Sequence, residues 1–221
     1  MMKKVLFLAV AAITLSLNGV AQEKTSIENS LTLSGDVRTG SGYAPLFGLK
    51  TSDAWSAYYM ADVHHSSGLG IGGYRMTDFQ QEGLGRLAFF DLYWSGEIAK
   101  NLSLYGAMEY GFFDNDNQMS FWCPYLILFW SNPVVNVNLS PMYCYYDKLK
   151  SDEIIVRLQA TKEVFEGTEI SLSGWYDNTL DKKFYGAVGI TQQLPKNFYL
   201  QGDWLFREGK SLPMVALGYK F

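Results

Sequence analysis

The chain has 221 residues, with 18 Lys and Arg against 22 Asp and Glu and a formal charge of −4. That acidic balance gives no footing for nucleic-acid binding. Two adjacent histidines and two separated cysteines form no cluster with metal-ligand spacing, and no cofactor motif is present.

Residues 1–21 have the layout of a secretory signal. Lys3 and Lys4 precede an apolar run from Val5 to Leu15, and Gly19 and Ala21 stand at the −3 and −1 positions of a cleavage site before Gln22. The remainder is one domain in length: an N-terminal segment 22–30 in the periplasm, then a barrel over 31–221. No later stretch is long and apolar enough for a transmembrane helix, so a membrane-spanning reading requires strands. The aromatic and glycine content (15 Tyr, 14 Phe, 6 Trp and 21 Gly) suits such strands.

From Leu31 onward, segments of roughly ten residues alternate apolar and polar side chains. The spacing predicts strands over 31–40, 55–63, 69–76, 87–98, 102–113 and 119–130, then 134–146, 153–163, 168–177, 183–194, 198–207 and 212–221. Turns around Lys100-Asn101, Ser131–Pro133, Phe165–Gly167 and Pro195–Asn197 are tight. The alternate connections include 41–54 and 77–86, which are longer. Short turns at one end and longer loops at the other predict an all-β, transmembrane, antiparallel up-and-down β-barrel of about twelve strands. The even count puts both termini on the short-turn side, which is periplasmic in such barrels. The apolar faces carry rings near both ends, as in Phe90 and Trp94 or Tyr110 and Phe112, so polar-in and apolar-out is the predicted orientation.

The last segment, Met214-Val215-Ala216-Leu217-Gly218-Tyr219-Lys220-Phe221, resembles the terminal assembly signal of Gram-negative outer-membrane proteins. That resemblance implies recognition of Phe221 by the barrel-assembly machinery, insertion among outer-membrane lipid, and a monomer. The scale is similar to the nucleoside-specific channel family, with no motif of that family present. The favoured function is a small-solute channel or binding barrel, and a further alternative is a non-catalytic surface or structural barrel whose loops contact partners.

Three groups of side chains are candidates for chemistry. Asp91, Glu97, Glu109, Asn136, Asn138, Arg157, Asp203 and Arg207 are expected to line the lumen, as a solute-selecting surface or as a network that fills the interior. Pairing 130 with 134 across the Ser131–Pro133 turn would turn Trp122, Leu126, Leu128 and Trp130 inward, as an apolar patch for a ligand or a plug. The same register sets Cys123 and Cys144 on opposite faces, which predicts two free thiols. Finally, Asp62-Val63-His64-His65-Ser66-Ser67-Gly68 resembles the His-x-Ser-Asn-Gly motif of outer-membrane phospholipase A and, more loosely, the His-Ser pair of barrel lipid A deacylases. The resemblance implies an acyl hydrolase with His64 as base and Ser66 as nucleophile. Ser67 stands where that family has Asn, and the competing reading is a polar turn between two strands.

Overall fold

The computed structural model describes residues 30–41, 55–79, 86–113, 120–180, 183–207 and 209–221. The signal, most of 22–30 and the two long connections lie outside the described residues. Twelve strands follow one another: β1 (Leu31–Ser41), β2 (Trp55–His65), β3 (Leu69–Asp78), β4 (Arg86–Ala99), β5 (Leu102–Phe113) and β6 (Ser120–Trp130). The second half is β7 (Asn136–Tyr146), β8 (Ser151–Phe165), β9 (Thr168–Asp177), β10 (Phe184–Gln193), β11 (Phe198–Arg207) and β12 (Lys210–Lys220). Each pairs antiparallel with its chain neighbours, and β1 pairs with β12, which closes the sheet into a transmembrane barrel. The seam runs from Asp36 opposite Lys220 to Gly40 opposite Ala216. Gly35 and Phe221 exchange backbone hydrogen bonds of 3.0 and 3.1 Å at its end.

Period two sets the faces. Leu172, Val188, Leu200 and Val215 are each at least half exposed on the outside, whereas Asp36, Glu109, Ser173 and Asp177 are buried within. An apolar exterior over a polar and aromatic interior is the arrangement a hydrocarbon surround demands. The β2–β3, β4–β5, β8–β9 and β10–β11 turns are tight and share one end, while β11 turns tightly into β12 at the other, with Arg207 opposite Lys210. Two of them share a device: the Glu97 carboxylate accepts the Asn101 N–H at 3.3 Å, and the Glu163 carboxylate accepts the Gly167 N–H at 2.8 Å. Asn101 and Gly167 adopt φ of 62° and 71°, where Asn and Gly are the favoured residues.

One hairpin departs from the sequence reading. The β6–β7 register sets Trp130 opposite Val137, not opposite residue 134. The Asn132 side chain accepts N–H groups from Val134 and Val135 at 2.8 and 3.1 Å, folding the segment into a wider turn that keeps it out of the ladder. The resulting shift of three residues is odd, so it exchanges the two faces. Cys123 and Cys144 therefore point the same way and form a disulfide, which corrects the expectation of free thiols. Trp122 and Trp130 are 46% and 50% exposed on the outer face, and Leu126 and Leu128 share it. The inward residues are Phe121, Cys123, Tyr125 and Ile127, so the expected apolar lumen patch is an outer, membrane-facing stripe.

Two measurements check these assignments. Leu172→Arg or Val215→Arg should destabilise the barrel by about 2–4 kcal/mol in a lipid folding titration. Ser171→Ala and Ala216→Ser, on the inner face, should cost far less. Alkylation of the denatured chain should label neither cysteine until a reductant is added.

Candidate functional site

Inward side chains of β2–β7 build a wall of rings. Tyr74 stacks on Phe89 at 4.1 Å between centroids, and Phe89 meets Phe121 edge-on at 5.2 Å. A second row runs from Tyr93 through Tyr105 to Tyr125 at 4.8 and 5.7 Å. Flat packing needs small partners across the strand. Tyr93 lies over Gly70 and Phe121 over Gly111, where an added Cβ would strike the ring. The phenols serve the carboxylates of the same wall: Tyr93 donates to Asp62, Tyr125 to Asp91 at 3.4 Å and Tyr74 to Glu109 at 3.5 Å. Among the β2–β7 residues whose side chains are described, no Arg or Lys points inward; Arg75 is on the outer face.

The inward cations all belong to the other half. Arg157 and Trp175 are directly opposed across β8 and β9, and Trp175 and Tyr185 across β9 and β10. The two rings stack at 5.2 Å with planes 2° apart. Arg157 covers the Trp175 face at 5.9 Å and Arg207 covers Tyr185 at 5.5 Å, so the stack is capped by a cation on each side. On β1, Arg38 forms an ion pair with Asp36 at 2.6 Å and lies over Tyr58 and Tyr199 at 5.4 and 5.5 Å. Tyr199 reaches Asp36 by lying flat over Gly218 and donates to its carboxylate at 2.8 Å. Lys220 sits beneath Tyr199 toward the tight-turn end.

Between this half and the edge of the ring wall lies a cavity of about 330 Å³. Its charged lining is Asp36, Arg38, Arg157, Glu169 and Asp203, interspersed with Gln159, Gln201 and the hydroxyls of β8–β10. Arg157 donates to the Gln159 carboxamide, and Gln201 donates to Asp203 at 2.7 Å. A space of this size and lining holds a hydrated polar solute of monosaccharide or dipeptide scale.

Of the residues expected in the lumen, Arg157 and Asp203 line the cavity, and Arg207 stands at its far end, on the aromatic stack. Asn138 donates to Gln159 at 2.9 Å behind Arg157, and Asn136 is exposed at the tight-turn mouth. Asp91 and Glu109 are inside but embedded in the ring wall; Glu109 is 1% exposed. Glu97 holds a turn. Asp36 and Arg38 escaped the sequence reading, although their i, i+2 spacing against outward Leu33 and Val37 is a signal of an inner face. His64 continues the inward row of Ser56, Tyr58, Met60 and Asp62. In the turn, His65 Nδ1 meets the Ser67 hydroxyl at 2.8 Å and accepts the Ser67 N–H at 3.1 Å.

The KdgM porin in complex with disordered oligogalacturonate aligns with a TM-score of 0.65 at 11% identity, over 85% of this chain and 99% of that one. The NanC porin aligns at 0.61 and 14% identity, over 85% and 98%. The fold is that of the outer-membrane porins. No family model matches the chain, and no curated protein matches its sequence.

Gly218→Ala is the sharpest probe of the site's construction. The added methyl must displace the Tyr199 ring and with it the bond to Asp36, at a cost of about 1–3 kcal/mol. Chemical denaturation in lipid should register that loss, and Tyr199→Phe should remove the hydrogen bond without the clash.

Proposed function

We propose that this chain is a monomeric outer-membrane channel that passes small polar solutes, with the path running along the β8–β12 and β1 wall. The observation that carries the proposal is the asymmetry of the interior: the stacked rings of β2–β7 enclose Asp91 and Glu109, and a polar, charged cavity lies against the other half. Twelve strands enclose more space than side chains alone fill in an eight-stranded barrel, and the surplus here is on one side. Likeness to KdgM and NanC, both described as porins, supports the reading. The apolar outer face supports insertion into the outer membrane, in the orientation that puts the β2–β3, β4–β5, β8–β9 and β10–β11 turns toward the periplasm. We favour the channel over an acyl hydrolase built on His64 and Ser66, because that string lies at a tight turn which the His65–Ser67 bonds help to close.

The test is single-channel recording of the refolded barrel in a planar bilayer. Discrete conductance steps are expected, with ion selectivity read from the reversal potential under a salt gradient. Asp203→Asn should shift selectivity toward the anion and Arg157→Gln toward the cation, because a charge on the path sets the local field. Glu109→Gln should leave selectivity unchanged, since that carboxyl is sealed in the ring wall. A silent bilayer from correctly folded protein would refute the channel.

A further inference from the structure

Building on the channel reading, we infer that the cavity selects small zwitterions, solutes carrying an ammonium and a carboxylate together, of the amino-acid or short-peptide class. The argument starts from how its charges are disposed. Asp36 and Arg38 pair at 2.6 Å, and the Tyr199 hydroxyl shares its one proton between both Asp36 oxygens at 2.8 Å. Asp36 is only 5% exposed, and Arg38 also donates to the Gln201 carboxamide at 3.2 Å. The lining charges beyond this pair are Arg157, Asp203 and Glu169.

Arg157 and Asp203 each take a carboxamide partner, Gln159 and Gln201, and act on one another through space. They occupy different levels of the wall. Ser171, Gly189 and Asp203 are directly opposed in one row across β9, β10 and β11. Gly189 leaves a notch over which the Asp203 carboxylate and the Ser171 hydroxyl close. Arg157 reaches to Gln159, which is level with Ser173, one step of two residues toward the far end.

Trp175 also lines the cavity, with its ring beneath the Arg157 guanidinium. A carboxylate received by Arg157 satisfies that corner. An ammonium received by Asp203, with Glu169 beyond it toward the tight-turn end, satisfies the other. A solute with anionic groups alone meets Asp203 and Glu169 without compensation, and a solute with cationic groups alone meets Arg157. Only the zwitterion finds an opposite charge at both levels.

The experiment uses three solutes of one scaffold: glycylglycine as zwitterion, N-acetylglycine as anion and glycinamide as cation. Radiolabelled uptake into proteoliposomes holding the full barrel is measured at neutral pH. Glycylglycine should enter fastest. Asp203→Asn should lower glycylglycine uptake by roughly tenfold, the worth of one charge-assisted hydrogen bond, and raise that of N-acetylglycine. Arg157→Gln should lower glycylglycine by a similar factor and raise glycinamide. Heat-modifiable gel mobility verifies that each variant is folded. Equal uptake of the three solutes, or faster uptake of the anion by the wild type, overturns the inference while leaving the channel in place. Absence of uptake for all three, matching protein-free liposomes, overturns the channel itself and this inference with it.

Discussion

The structure depends on one constraint: within hydrocarbon, no backbone N–H or C=O can be left to water. Each unmade backbone bond there costs several kcal/mol, and a sheet escapes that cost only by joining its first strand to its last. The seam between β1 and β12 is therefore the decisive contact, although it is one ladder among twelve. Once the ring is closed, alternation leaves each side chain two choices, membrane or lumen. A strand that slips by an odd number of residues exchanges all of its side chains at once. The outward Leu172, Val188, Leu200 and Val215 and the inward Asp36, Ser173, Asp177 and Asp203 are consequences of closure as much as of their own chemistry.

Much of this was legible in the sequence because period two and turn chemistry are local signals. Strands β5, β9 and β11 fall where the alternation put them, and the remaining boundaries differ by a few residues. The β6–β7 hairpin was not legible, and the reason is also local. Ser131-Asn132-Pro133 reads as a tight turn, but the Asn132 carboxamide organises the residues after it, and a three-residue change in register followed. The disulfide and the outward tryptophans both derive from that one side chain. Strand β6, apolar on both faces, offered no pattern that would have flagged the error.

The cavity was legible in kind but not in place. Alternation tells which side chains enter the lumen, and it put Arg157, Asp203 and Arg207 there. It cannot tell which inward residues meet across the bore. Glu109 and Asp91 look as available as Asp203 along the chain, yet stacked tyrosines and phenylalanines enclose them. The ring wall itself depends on glycines one strand away, at Gly70 and Gly111, and such pairings emerge only when the register is known.

In the channel we propose, the separation of Arg157 from Asp203 along one wall has a consequence for motion as well as for affinity. A cation and an anion fixed at different heights exert a torque on any dipole that passes between them. The molecule is turned before it is translated, and the freedom it gives up is rotational. Two isomers of one formula and one net charge, differing only in where their groups are attached, then face different barriers in the same bore. Permeation in such a passage sorts molecules by their internal arrangement, a property that neither diameter nor total charge records.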